Sequence, residues 1–369
     1  MPAHPRSSTS LLSLALIAVS LSLCTVPARA AAGSGCERIA DQAAKIAACT
    51  SIIDAAGENG EIRASALNSR AQAYLAKGDN DRAIADLDQA IELDPSNAKA
   101  FIARGNAHKN KAEPDRAIAD YSEAIRLTPA GTVAFVNRGN AYQDKKDYDS
   151  AIADYNEALR LDPKYAVAFN NRGNAYRSKG DNDHALDDYN EAIRISPNFA
   201  LAYNGRGVVY ATLKDFDRAV AEYNEAIRLA PRYTLALTNR GYAQFARKSF
   251  DAAIADYTEV LRIDPKYVLA LSNRASAYRA KGDTEPAIAD YDEAIKLSPK
   301  NANLYNSRGE VRLARQEFDL AIADFTEAIR LEPKLDRAQF NRGQAHQRKG
   351  ENFSALADYF QVIYRAMRR

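Results

Sequence analysis

The residues able to do chemistry are few and dispersed. His4, His108, His184 and His346 are the four histidines, and no serine or cysteine has one of them at a spacing that suits nucleophilic catalysis. His108 and His346 share a column held elsewhere by tyrosine, which makes them packing residues. The three cysteines, Cys24, Cys36 and Cys49, lack the clustered partners of a zinc site. Acid pairs such as Asp181 and Asp183 suit helix caps better than metal ligands. The glycines of the recurring segment NRGNAY sit inside a helical pattern and follow no strand, so they build no phosphate-cradling loop. No cofactor, metal or small-molecule substrate is expected, and the chain is not expected to be an enzyme.

Another kind of chemistry is written in columns. Arg70, Arg104, Arg138, Arg172, Arg206, Arg240, Arg274, Arg308 and Arg342 stand 34 residues apart. Each is followed sixteen residues later by an acid, as Arg138 is by Asp154 and Arg172 by Asp188. A guanidinium beside a close-packed glycine is partly buried and needs a partner, so these are expected to be structural ion pairs. The spacing leaves open whether Arg172 meets Asp188 of its own unit or Asp154 of the preceding one. A second set of columns carries amides: Asn137, Asn171, Asn239, Asn273 and Asn341 at one position, and Asn106, Asn140 and Asn174 three residues further on. Helix interiors disfavour asparagine, yet its amide both donates to and accepts from a peptide backbone. The ladder is therefore a candidate peptide-binding surface. Recent copying of one unit, without selection for binding, is the other explanation.

The elements that position these columns follow from the same period. Nine 34-residue units run 64–97, 98–131, 132–165, 166–199, 200–233, 234–267, 268–301, 302–335 and 336–369. In the fourth, Phe169, Gly173 and Tyr176 fall at i, i+4 and i+7, one face of a helix. Gly180 and Asp181 supply turn and cap chemistry. Ala185, Tyr189 and Ala192 mark a second helix, which Pro197 ends. Small residues at Gly173, Ala185 and Ala192 let the two helices approach closely. Each unit is a helix–turn–helix, and the fold class is all-α.

The unit Phe169-x2-Arg172-Gly173-x2-Tyr176…Ala185-x3-Tyr189…Pro197 resembles the tetratricopeptide repeat column by column over residues 64–369. Arginine replaces the leucine that normally precedes the glycine. The Tyr176 column becomes His108, Gln244, Arg312 and His346 in units 2, 6, 8 and 9, which are expected to pack differently. The resemblance implies a right-handed α-solenoid whose first helices line a concave groove that takes an extended peptide or a partner helix. The asparagine columns are similar to the ladder lining the tetratricopeptide superhelix of O-linked N-acetylglucosamine transferase. The carboxylate clamp of chaperone-binding members is not implied, because its lysine positions hold residues such as Val133, Asn170 and Leu201.

Residues 1–30 have the make-up of a secretory signal: Arg6, an apolar run from Leu11 to Leu23, and Ala28-Arg29-Ala30 as a cleavage site. An uncleaved anchor is an alternative, and a lipoprotein modified at Cys24 is another, disfavoured by the bulky Leu23. Residues 31–63 form an N-terminal lead and a capping helix, in which Cys49, Ile53 and Ala56 lie 34 residues before Ala83, Leu87 and Ala90. Cys36 and Cys49 are expected to pair in an oxidising compartment. A continuous helix between them would rise roughly 20 Å, so the helix must start near Asp41 with Cys36 folded back beside it. The closed loop would add roughly 3 kcal/mol of stability; two free thiols are the alternative.

The 50 basic and 48 acidic side chains become 48 of each once residues 1–30 are removed with Arg6 and Arg29. Such a balance does not suit a nucleic-acid binder. The function expected is a non-catalytic scaffold exported to the periplasm or beyond, with a protein or peptide partner. A structural component of the cell envelope is the alternative. Val362, Ile363 and Met367 are expected to be exposed on a last helix without a cap, giving weak self-association, while Arg365, Arg368 and Arg369 keep that end soluble.

Overall fold

The computed structural model describes residues 35–57 and 59–368. The signal-like segment, Cys24 and Arg369 lie outside the described residues. The described residues are helical throughout, with no strand among them. The chain divides into two compact units, one ending at Lys111 and the other beginning at Ala112. That boundary falls inside the second repeat, in the turn between its two helices.

The first unit holds α1 (Gln42–Ala55), α2 (Gly60–Ala76), α3 (Asn80–Leu93) and α4 (Ala98–Asn110). Asp41 caps α1 by accepting the backbone N–H of Ala44 at 2.7 Å. The sulfurs of Cys36 and Cys49 stand 2.20 Å apart, with Cα atoms 5.3 Å apart. Both are buried, packed against Ala66 of α2. One expectation about this region needs correction. The helix α1 does not match α3 at an offset of 34. Both its ends match at 38, Gln42 with Asn80 and Ala55 with Leu93. The cause is an extra turn at the start of α2, which begins at Gly60 rather than Ala64, with Asn59 accepting the N–H of Ile62 at 3.1 Å. Cys49 therefore takes the fully buried place of Leu87, and Ala56 lies past the helix end.

The second unit continues as helix pairs. It opens with the second helix α5 (Pro114–Leu127) and runs through α6 (Thr132–Asp144) and α7 (Tyr148–Leu161), α8 (Ala166–Lys179) and α9 (Asn182–Ile195), and α10 (Ala200–Thr212) and α11 (Phe216–Leu229). Then come α12 (Thr234–Ala246) and α13 (Phe250–Ile263), α14 (Val268–Lys281) and α15 (Thr284–Leu297), α16 (Ala302–Ala314) and α17 (Phe318–Leu331), and α18 (Asp336–Lys349) and α19 (Asn352–Met367). Within each unit every helix packs on its chain neighbours. Successive first helices, from α6 to α18, also touch each other, whereas successive second helices do not. The first helices therefore lie on the inner side of a curved stack.

The core explains the repeated glycine. Tyr121, Tyr155, Tyr189, Tyr223, Tyr257, Tyr291 and Phe325 are fully buried, one in each second helix from α5 to α17. A Cβ on Gly139 would stand 2.7 Å from Tyr155 Cε1, and one on Gly241 the same distance from Tyr257 Cε1. The ring fills the space a side chain would need, and this contact offsets the helix-propensity cost of about 1 kcal/mol. Between the helices of each pair one residue adopts positive φ: Gly78, Gly180, Gly282 and Gly350, but Ala112, Lys146, Lys214, Lys248 and Gln316 in the other units.

Candidate protein-binding face of the first helices

The arginine column sits between the two helices of each pair. Arg138 meets Asp154 and Arg172 meets Asp188, in each case within the same unit. Nη2 donates to Oδ1 at 2.7 and 2.6 Å and Nε donates to Oδ2 at 2.9 and 2.8 Å. The two-pronged geometry matches guanidinium to carboxylate. Nη1 remains, and it reaches backward into the preceding repeat: Arg138 to Ser122, Arg172 to Asn156 at 2.6 Å, Arg206 to Asn190 at 2.7 Å and Arg308 to Asp292. One guanidinium thus closes its own hairpin and ties it to the hairpin before. Burial pushes the Asp188 carboxyl above its ordinary value despite Arg172. Burial also works against the Arg172 charge, and Asp188 more than offsets it. The polar column that takes Nη1 had not been singled out from the sequence, where Asn156 and Asn190 look like ordinary solvent-facing residues.

The amide columns lie on a different face. Val167, Asn171, Asn174 and Ser178 follow one another at i, i+4, i+7 and i+11, so they share one side of α8. Because the first helices touch, these positions form lanes across the second unit. Asn171 and Asn140 meet across α8 and α6, the Asn171 amide donating to Asn140 Oδ1 at 3.0 Å. The same Asn140 oxygen accepts from Tyr155 Oη at 2.7 Å, and Asn174 accepts from Tyr189 Oη at 2.8 Å. Asn239 donates to Asn204 and Asn341 to Asn306, at 3.0 and 3.1 Å. The lane asparagines are half-buried, whereas Asn204 and Asn306, which stand one residue before Gly205 and Ser307 where the lane has no amide, are buried. Asn137 occupies the equivalent place on α6, and Asn106 does so on α4 of the first unit. Asn273 makes no side-chain hydrogen bond among the described residues. Part of the ladder's bonding capacity is therefore spent between repeats. Asn170, a buried neighbour, keeps its Oδ1 without a hydrogen-bond partner.

Two further features of this face escaped the sequence reading. Val133, Val167, Leu201, Leu235 and Leu269 stand 34 apart and are all exposed, at 38–53%. They run beside the asparagine lane as an apolar one, and their spacing alone would have revealed it. At the far end Glu310 replaces the second amide. Its carboxylate collects Asn306 at 2.9 Å, Asn341 at 3.0 Å, Arg337 at 2.5 Å and Arg279. The aromatic column varies as its residue types require. Arg312 donates to Asp324 at 2.8 Å, and His346 Nδ1 lies 2.6 Å from Glu351.

Among the described residues no group of histidine, cysteine, aspartate and glutamate could hold a metal ion, and no helix is long and apolar enough to cross a membrane. Family models described as TPR repeat match residues 71–111, 173–214, 275–314 and 309–350. Models described as tetratricopeptide repeat match 98–130, 132–165 and 204–268. Together they span 71–350 with short gaps. Comparison with curated proteins found no match. Among solved structures the chain is similar to one in the APC/C hetero-tetramer Cut9–Hcn1, at 18% identity and a TM-score of 0.56, covering 81% of this chain and 59% of that one. It is also similar to a tetratricopeptide repeat protein from Parabacteroides merdae, at 22% identity and a TM-score of 0.50, covering 67% of this chain and 98% of that one. At such identities these likenesses speak for the fold. The matched family models establish that the chain belongs to the tetratricopeptide repeat family, and with it to the protein–protein interaction scaffolds.

Proposed function

We propose that the first-helix face of the second unit holds an extended polypeptide. The supporting observation is the side-by-side run of an exposed aliphatic lane, Val133 to Leu269, and a half-buried amide lane, Asn137 to Asn341, broken only at Gly205 and Ser307. Amides take the ligand's backbone groups and aliphatic side chains take its apolar residues, the division of labour of extended-peptide recognition. The asparagines already bonded to Tyr155 and Tyr189 hold the lane in place. We also propose that the chain is exported. The signal-like residues 1–30 support this, as does the placement of Cys36 against Cys49, a bond that persists in oxidising compartments.

The aliphatic lane is the sharper target, because exposed side chains can be changed without disturbing the core. A photo-crosslinking residue at Leu201 or Leu235 is expected to capture a polypeptide from envelope extracts, with the same residue at the outward-facing Ala153 as control. Equal capture from Ala153 would refute the reading. Leu201→Arg with Leu235→Arg should weaken binding of the captured partner at least about tenfold, or about 1.4 kcal/mol, with melting unchanged. The mass of the processed protein tests export, and an N-terminus at Ala31 is the expected result.

A further inference from the structure

The face of α19 directed away from its own hairpin differs from that of the eight second helices before it. Phe353, Leu356, Phe360, Ile363, Tyr364 and Met367 are all exposed, Phe353 at 92%. Leaving out Tyr364, their spacing is 3, 4, 3 and 4, the interval that draws one seam along a helix. The opposite side buries Ala355 and Asp358.

In the eight earlier second helices the corresponding face carries polar keys for the repeat that follows. The Phe353 column is acidic from Asp81 to Asp319. In seven of the eight it meets a basic side chain at the end of the next first helix, as Asp319 meets Lys349 at 2.7 Å. The Phe360 column is an acceptor in all eight, from Asp88 to Thr326. It takes the next arginine's Nη1, as Thr326 takes that of Arg342 at 3.2 Å. The Tyr364 column is basic from Arg126 to Arg330. In α19 an aromatic ring stands at each of the three. A further repeat of this kind would bring its guanidinium onto Phe360 with no acceptor, so the face is not a socket for one.

The apolar stripe is symmetric about Phe360. Phe353 and Met367 lie seven residues to either side, and Leu356 and Tyr364 lie four. A two-fold axis at Phe360 therefore sets Phe353 on Met367 and Leu356 on Tyr364 of an antiparallel helix. Charge favours the same direction. Glu351, at the start of α19, then approaches Arg368 at the end of the other helix, whereas a parallel pair sets Arg368 on Arg368. Antiparallel helix dipoles add to this. We propose that a second copy of this chain covers the face, α19 packing antiparallel on α19 across a two-fold axis at Phe360. Such an interface closes at two copies. A helix of 16 residues is about 24 Å long and buries an area at the low end for stable interfaces, so dissociation is expected at roughly micromolar concentration.

Sedimentation velocity from about 1 to about 200 μM, a range chosen for an interface of this size, tests the proposal. The protein is expected to pass from monomer to dimer. The triple variant Phe353→Asp, Phe360→Asn, Tyr364→Arg carries residues found at these columns in internal helices, so it should fold. It should raise the dissociation constant at least about tenfold, with circular dichroism and melting unchanged. A monomer over the whole range, or a variant that dimerises like the parent, would overturn the proposal. Orientation is read separately. Phe360→Cys should crosslink to itself on mild oxidation and Phe353→Cys should not, and the reverse would rule out the antiparallel pair.

Discussion

At the scale of single residues, the arginine column does the most. The interval of sixteen between Arg172 and Asp188 was legible in the sequence, and so was the need of a buried guanidinium for a partner. The choice of hairpin was not, because it depends on how far α8 stands from α9 and α7. The bond from Arg172 to Asn156 was hidden for a different reason: asparagine, serine, threonine and aspartate all accept one hydrogen bond, so the column that receives Nη1 shows no fixed letter. These contacts make a pH-dependent prediction. Arg172→Leu leaves the Asp188 carboxylate buried with no counter-charge, a loss of about 3 kcal/mol at neutral pH. Burial already raises that carboxyl group above its ordinary value, and removal of the arginine raises it further. A group whose folded pKa lies above its unfolded one stabilises fully below the unfolded pKa and loses that contribution as pH rises through the folded pKa. The variant should therefore fall further behind the parent at about pH 8 than at about pH 4 in urea melts. Equal losses at both would show that Asp188 finds another partner.

At the scale of the helix and its turn, the hairpin was almost wholly readable. Phe169, Gly173 and Tyr176 fixed one face of α8, Pro197 fixed the end of α9, and Gly180 marked the bend. The bend also shows where the sequence is not optimal. Lys146 and Lys248 adopt φ of 63° and 62° in the place Gly180 fills in its own unit. The left-handed conformation costs a side-chain-bearing residue more than it costs glycine. Lys146→Gly and Lys248→Gly are each expected to stabilise by about 0.5–1 kcal/mol in chemical denaturation. No gain would mean that the lysine stems pack usefully on the turn. The register of α1 was misjudged because the period was extended past its last clear copy. The sequence ENGEIR contained the correcting signal, Asn59 as a cap one turn before Ala64, but a lone asparagine beside a glycine suits a loop equally well. On the first-helix face the asparagine positions were legible as two columns three residues apart. Their mutual bonds were not, since those depend on how closely α6 approaches α8.

At the scale of the whole array, most of the hydrogen bonds and ion pairs that join hairpins link a unit to the one before it. Stability in such an arrangement is close to a sum of hairpin terms and nearest-neighbour terms. Deleting residues 166–199 should therefore leave a folded protein. Arg206 would then reach Asn156 instead of Asn190, the same residue type in the same column. Circular dichroism per residue should be unchanged, and the denaturant slope should fall by about one ninth with the surface removed. Loss of cooperative unfolding would show that the middle of the array is not interchangeable. The backward-reaching Nη1 carries this point further. Because each hairpin before the last brings its own hook and its own eye, a genetic duplication or excision of one whole internal period leaves no guanidinium without an acceptor. The gene can lengthen or shorten the first-helix face by whole steps, and with it the span of the proposed peptide grip, without redesigning that contact.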